Sequence, residues 1–359
     1  MPVEGIAIIS KWRQLCTAGV IILLCYSLPT NSLRVHRKEK CSGMSPAIAP
    51  TLQLNNGQEI PALGLGTWQG TAGSGEVKAA VLAALDAGYR HIDTAACYLT
   101  EEDIGVAIKK KISQGDIKRE ELFITTKLWI THFEPEMVVK ACQNSCKKLG
   151  LDYVDLYLIH WPFGIKGKDV EDLSFEGEES NVSLEETWRG MEKCVEKGFA
   201  KSIGLSNFNS VQIKRILDCA KIKPVNLQIE VHPYLNQRKL IDYCKKQNIT
   251  VTAYSPLGAP WTNPDKPLLI NDPVLKEIAD KYRKSPAQVV LRYLIQSGTI
   301  PIPKSGSPQR IQENIDVFDF KLEQADVEKI DALDQKARAC LMSAHVNATE
   351  YPFKPEIEF

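Results

Sequence analysis

From residue 51 onward, short apolar runs alternate with longer stretches in which apolar side chains recur every third or fourth position. The runs at 63–67, 90–94, 122–127, 154–160, 200–204, 225–230, 250–255 and 299–303 are apolar throughout rather than alternating. That pattern predicts strands of a parallel sheet covered by helices. The stretches at 74–87, 101–113, 135–149, 184–197, 211–220, 237–247, 273–284, 286–296 and 308–318 carry the helical period, as in the stripe Val77, Ala80, Val81, Ala84 and Leu85. A last helical pattern at 323–335 precedes an aperiodic tail from 337 to 359.

Eight strand-then-helix units in this length predict an α/β fold, a (β/α)8 TIM barrel. Ahead of them, Thr51-Leu-Gln-Leu and Glu59-Ile-Pro-Ala flank Asn55-Asn-Gly-Gln, an N-terminal β-hairpin signal. Extra helical segments and a C-terminal loop folded over the rim complete the expectation. An open doubly wound sheet would show G-x-G-x-x-G after its first strand, and Gly64-Leu-Gly66-Thr-Trp-Gln-Gly70 has another spacing. Any dinucleotide is therefore held in some other way. Two insertions, 163–183 after the fourth strand and 256–271 after the seventh, leave the rim where βα loops shape a pocket.

Residues 1–50 read as an N-terminal extension and 51–359 as the barrel domain. Within the extension, 15–28 (LCTAGVIILLCYSL) is apolar and uncharged, with Lys11 and Arg13 before it. Its length is short for a membrane span and right for a signal-peptide core. Arg34, Arg37, Lys38 and Lys40 follow, which suits a signal anchor better than clean translocation. Translation from Met44 would leave a cytoplasmic chain. Use of 1–43 would make it secreted or membrane-tethered, and only then would the sequons at Asn181, Asn248 and Asn347 matter.

Lys+Arg and Asp+Glu balance at 44 each. A neutral chain argues against nucleic acid as the main partner. None of the ten cysteines forms a C-x-x-C pair or a zinc spacing, so they read as small buried side chains and no metal site is expected. A small-molecule substrate, no obligatory protein partner and a monomer are expected.

Four polar residues fall at or just after the C-terminal ends of apolar runs: Asp93, Tyr98, Lys127 and His160. In a parallel β/α architecture that end is where active sites are built. Taken singly, Asp93 and Lys127 read as a structural ion pair, Tyr98 as a rim aromatic and His160 as a satisfied half-buried imidazole. Their joint placement at three adjacent strand ends argues for a site. An ammonium beside a phenol favours the phenolate and draws its pKa down, which makes Tyr98 a workable acid. With His160 as a second donor, such a site could reduce a carbonyl and stabilise the oxygen's developing charge.

Further along, Lys304, Ser305 and Arg310 run from the eighth strand into a helix N-terminus, which reads equally as a compact anion site or as a charged helix start with Arg310 a solvated surface residue. Glu313 and Asn314 on that helix could meet an adenine. Ser206, Asn207 and Gln228 could grip a carboxamide, and Tyr254 could stack on a flat ring. Ser206-Asn207 is also ordinary turn chemistry. Gln228 inside an apolar strand is harder to set aside, because a buried amide needs partners. Trp68, Trp129, Trp161 and Trp261 fall on strand ends or rim loops and suggest an apolar pocket mouth.

The stretches GLGTW, HIDTAACY, ITTKLW, LYLIHWP, IGLSNF, QIEVHPY, TAYSPLG and IPKSGSPQRIQEN, in this order, closely resemble the aldo-keto reductase superfamily from 51 to about 352. The resemblance implies NADPH bound along the C-terminal rim of a (β/α)8 barrel. It implies Asp93, Tyr98, Lys127 and His160 as the catalytic tetrad, with Tyr98 the general acid. It places Ser206, Asn207 and Gln228 on the nicotinamide carboxamide, with Asp93 nearby, and Tyr254 on the ring. Ser255 and Leu257 would border the pyrophosphate, Lys304, Ser305 and Arg310 would take the 2′-phosphate, and Glu313 and Asn314 would face adenine. Thr67, Trp68 and Trp129 would lie by the nicotinamide and substrate. Many relatives carry Y-G-N-E where this chain has Tyr98-Leu-Thr-Glu. Retention of His160 implies a carbonyl reductase rather than a relative that reduces steroid double bonds. The carbonyl could be an aldehyde, a sugar or a ketosteroid. The alternatives are a non-catalytic NADPH-binding structural or regulatory relative, and a barrel hydrolase, for which only Asp93 and Glu230 offer rim carboxylates.

Overall fold

The computed structural model describes residues 48–354 and 359, apart from 69, 71 and 260–267. The apolar segment 15–28, Met44 and Trp261 lie outside the described residues, as does part of the 256–271 insertion.

The chain opens on the antiparallel pair β1 (Thr51–Gln53) and β2 (Glu59–Pro61), with Thr51 opposite Pro61. Eight parallel strands follow: β3 (Leu65–Gly66), β4 (His91–Asp93), β5 (Phe123–Leu128), β6 (Val154–Ile159), β7 (Ala200–Ser206), β8 (Asn226–Glu230), β9 (Thr250–Tyr254) and β10 (Thr299–Pro301). They pair in chain order. Gly64 and Gly66 donate backbone bonds to the carbonyls of Pro301 and Pro303, which joins the first strand to the last. A Cβ on Gly66 would stand 2.7 Å from the Ile302 carbonyl oxygen, so glycine is what lets these strands meet.

Alternate residues of each strand face opposite ways. On β6, Tyr157 and Ile159 face the helices, while Leu156 and Leu158 join a cluster with Leu54, Ile60, Phe123, Val225 and Ile300. The hairpin thus plugs the end of the barrel where strands begin and leaves the other rim open. The helices α1 (Glu76–Asp86), α2 (Glu101–Ser113), α3 (Pro135–Leu149), α4 (Leu184–Glu196), α5 (Ser210–Cys219), α6 (Arg238–Lys246), α7 (Pro273–Tyr282), α8 (Pro286–Gln296), α9 (Pro308–Ile315) and α10 (Gln324–Asp331) pack outside. Their starts follow from local chemistry. Ser183 with Glu186, and Ser285 with Gln288, form reciprocal capping boxes on α4 and α8, and proline opens α3, α7, α8 and α9.

The tail returns along the rim. Gln335 and Ala337 amides donate to the Tyr234 carbonyl, and the Asn209 side chain donates to the Pro352 carbonyl. Arg215 pairs with Glu350 at 2.6 Å, and the Ser210 hydroxyl donates to the Phe359 carbonyl. Among the described residues, no helix is long and apolar enough to cross a membrane.

Candidate active site

Parallel strands bring their C-terminal ends to one rim, and each predicted residue is placed there by its strand. Asp93 ends β4, Lys127 is the fifth residue of β5, His160 follows β6, Gln228 lies on β8 and Tyr254 ends β9. Tyr98 sits on a short 3-10 turn, Ala96–Tyr98, just beyond β4.

Lys127 is fully buried, and its Nζ lies 2.6 Å from Asp93 Oδ1. It also donates to the Thr94 carbonyl at 2.9 Å and to the Tyr98 hydroxyl at 3.4 Å. Asp93 Oδ2 accepts from Gln228 Nε2 at 2.6 Å, so both carboxylate oxygens are satisfied. The Thr67 hydroxyl donates to the Asp93 carbonyl at 2.9 Å and ties β3 to the same point. The ammonium is thereby fixed in space by three acceptors, one of them the phenol.

His160 lies with its ring 5.7 Å from Tyr98 and 5.3 Å from Trp129. Its Nδ1 meets the Cys97 thiol at 3.7 Å. Burial first, and the Lys127 charge second, push the imidazole well below its ordinary pKa, so it is neutral. Burial also pushes the Cys97 thiol up, which keeps its proton on sulfur. A protonated thiol at Nδ1 leaves the ring proton on Nε2, free to donate.

The Tyr98 phenol differs from the sequence expectation. Lys127 does reach it, yet burial pushes the phenol well above 10, with the Asp93 charge adding to the rise. The reason is that Asp93 neutralises most of the ammonium's field at close range while burial penalises the phenolate. Asp93 itself is raised by burial, against the opposing pull of Lys127 and Gln228.

Around this centre Asn207, in the left-handed region at φ 63°, donates to the His160 carbonyl at 2.9 Å and accepts from Tyr254 Oη at 2.7 Å. Its amide also reaches the Ser206 hydroxyl at 3.2 Å. The Asn207 backbone amide donates to the Gln228 carbonyl at 3.0 Å, so this set ties β7 and β8 to Asp93 and His160. Trp68 lies with its ring 4.8 Å from Tyr98, tilted by 52°, and is exposed, and Trp129 is clasped by the insertion through Ser174 and Phe175. Trp161 is buried in a satellite apolar cluster with Ala95, Cys97, Trp129, Phe163 and Tyr351, a wall rather than an open surface.

On the far side of the rim, Lys304 and Arg310 are exposed at the N-terminal end of α9, which Ser307 caps. The Ser305 hydroxyl is buried and accepts from the Ser307 amide. Lys304 Nζ lies 3.7 Å from the Glu76 carboxylate at the start of α1. Asn314 is buried one turn inward and Glu313 faces outward, accepting from Gln309. Ser255 takes φ 48°, turning the chain sharply after Tyr254, and Leu257 packs on the main core. Two side-chain amides, a serine hydroxyl, an aromatic ring and a basic helix start on one rim are a donor set that fits a phosphorylated dinucleotide. Among the described residues no three His, Cys, Asp or Glu side chains are grouped to hold a metal ion.

The sequence reading missed Cys97 beside His160, and Cys340, whose thiol lies within hydrogen-bond reach of Ser255 and Tyr254. Burial and neighbouring Glu230 push the Cys340 thiol up to about 12. Cys97 stands next to Tyr98 in sequence and was discernible from that position. Cys340 lies in an aperiodic tail and was not.

Comparison with known proteins adds three kinds of likeness. The sequence model described as Aldo/keto reductase family matches residues 62–335. Aldo-keto reductase family 1 member A1-A of Danio rerio is 47% identical over 295 residues, 80% of this chain and 90% of that protein. A Bombyx mori aldo-keto reductase solved in complex with NADP superposes with a TM-score of 0.79 at 45% identity, over 85% of this chain and 99% of the other. The aldose reductase of Schistosoma japonicum matches with a TM-score of 0.79 and 45% identity, over 86% and 99% of the two chains.

Proposed function

The chain belongs to the aldo/keto reductase family, and from that premise we propose an NADPH-dependent oxidoreductase that reduces aldehydes or ketones to alcohols with Tyr98 as general acid. The observation that carries this reading is the Tyr98 hydroxyl set 3.4 Å from the Lys127 ammonium, with the neutral His160 ring 5.7 Å away.

When bound, NADPH supplies the hydride that goes to the carbonyl carbon. Ser206, Asn207 and Gln228 would hold its carboxamide, Tyr254 its ring, and Ser255 and Leu257 its pyrophosphate. Lys304, Ser305 and Arg310 would take the 2′-phosphate, with Glu313 and Asn314 toward adenine. Trp68 and Trp129 would flank the substrate and Trp161 would back the pocket, with Trp261, outside the described residues, assigned to the substrate from its sequence position alone. Thr67 holds the Asp93 backbone in register with this set.

Burial keeps the phenol protonated, so Tyr98 reaches the reaction carrying the proton it must give. As negative charge grows on the substrate oxygen, Tyr98 Oη donates to it and the proton crosses. The phenolate left behind faces the Lys127 ammonium, which Asp93 and the Thr94 carbonyl hold in place. That preorganised charge is worth most where water is excluded. His160 Nε2–H is a second donor to the same oxygen and orients the carbonyl. The protein works as a monomer on a small-molecule carbonyl compound.

The test follows loss of NADPH absorbance with a short aldehyde, an aromatic aldehyde, an aldose and a 3-ketosteroid. Turnover of at least one is expected. No turnover, with NADPH still quenching tryptophan fluorescence, would favour a non-catalytic NADPH-binding relative.

A further inference from the structure

Glu230 ends β8 on the active-site rim, is fully buried, and has no part in the proton transfer. A buried carboxylate is costly unless every lone pair finds a donor. Here the donors come from two places. His232 Nε2 lies 2.9 Å from Oε1, a local contact two residues away. The rest come from the tail, more than a hundred residues later. The Ala339 amide donates to Oε1 at 2.9 Å and Oε2 at 3.1 Å, and the Cys340 amide donates to Oε2 at 2.9 Å. Gln237 adds a second tie, donating to the Glu230 carbonyl at 2.6 Å and accepting from Arg338 Nη2 at 3.1 Å. Burial alone would push the carboxyl up, yet the bonds from His232 and the two amides outweigh it and hold it below the usual range.

The point where the tail is caught matters for the site. Cys340 follows directly and meets Ser255 and Tyr254. Met342, Ala348, Tyr351 and Phe353 then pack into the same apolar cluster as Tyr98 and Trp129. Tyr351 Oη donates to the Leu341 carbonyl at 2.7 Å, closing the loop on itself. Apart from a 3-10 turn at Ser343–His345 the described segment forms no helix or strand ladder, so its register over the pocket is set by these anchors at its near end and by Asn209 and Arg215 at its far end.

We infer that Glu230 is a positioning residue, a buried latch that seats the tail over the pocket mouth and so sets affinity for the carbonyl substrate rather than the rate of its reduction. This rests on the reductase reading above. The consequence is a split in kinetic constants: loosening the latch raises KM for bulky carbonyls and spares kcat, because Tyr98 and Lys127 stay where they are.

Two variants of the full chain test it. Glu230→Gln keeps the shape and sets an amide against the Ala339 and Cys340 N–H groups. Ala339→Pro removes one tail donor and leaves the barrel untouched, so it answers should the first variant fold poorly. Each is expected to raise KM for a bulky ketone about tenfold, with kcat on a short aldehyde and the NADPH dissociation constant unchanged. Trypsin should cut faster after Lys336 in both variants, the bond after Arg338 being closed to it by the proline of Ala339→Pro, and Glu230→Asp, which keeps the carboxylate, should restore part of the lost affinity. Faster cleavage with unchanged KM would overturn the positioning role, and so would a fall in kcat at constant KM. Unchanged cleavage in both variants would overturn the latch. A wild-type protein that turned over no carbonyl would overturn the reductase reading and with it the substrate half, while cleavage would still decide the latch.

Discussion

Lys127→Met removes the ammonium at the centre of the site and keeps most of the side chain's volume. Lys127 and Asp93 are 2.6 Å apart with side chains 0% and 3% exposed. Removing one partner of a buried pair costs about 3–5 kcal/mol. Two features pull toward the lower end. Gln228 still donates to Oδ2 at 2.6 Å, and burial already pushes the Asp93 carboxyl up, so the variant can neutralise it by taking a proton. The expected loss is about 3 kcal/mol near neutral or mildly alkaline pH. For a folded unit of this size that lowers Tm by roughly 4–5 °C. The sign with pH follows from Asp93. Its folded pKa lies above the unfolded 3.8, so its ionisation opposes folding; stability is complete below that value and declines as pH rises through the folded value. Losing Lys127 lifts the folded value further. The gap between wild type and variant should therefore narrow as pH falls from about 8 to about 5. Urea unfolding at both pH values measures it, with Asp93→Asn/Lys127→Met as the control that leaves no charge. A pH-independent loss, or a double variant no better than the single, would show that the pair is not what holds this part of the rim.

Arg310→Ala should weaken NADPH binding by about 2 kcal/mol, roughly thirtyfold, and leave NADH binding nearly unchanged; fluorescence titration with both nucleotides checks it, and an equal loss for both would contradict the phosphate contact. His160, pushed well below 6.5 by burial and then by Lys127, stays neutral through the working range. It should add no acidic limb to kcat/KM between about pH 6 and pH 8, and a limb that vanishes in His160→Gln would contradict this.

The barrel was legible because its signals are local and repeated. Continuous apolar runs gave all eight strands, and helical period with Ser, Asn or Pro starts gave the helices. The ends moved by a few residues for nameable reasons. The eighth strand stops at Pro301 rather than 303, where Pro303 offers no amide to continue a ladder. The fifth runs on to Ser206 because β8 pairs with it there. Of the site, the strand-end residues were legible since topology alone gathers them. Their partners were not. Gln228 holds Asp93 and Asn207 holds His160 across strands, pairings that depend on side-chain conformation. The direction of the Tyr98 shift required knowing its burial and the distance at which Asp93 cancels Lys127. Glu230 looked like a spare rim carboxylate because its ligands lie in a tail without period.

The most direct test of Tyr98 as proton donor is Tyr98→Phe, measured for turnover and NADPH affinity on the same preparation. The variant keeps the ring that packs on Trp68 and His160 and loses only the hydroxyl that Lys127 faces. Loss of turnover by about a hundredfold or more, with NADPH bound as tightly as by wild type, is the expected result. Turnover within a few-fold of wild type would contradict the assignment, because the carboxyl beside that ammonium, Asp93, is already tied to Lys127 and Gln228.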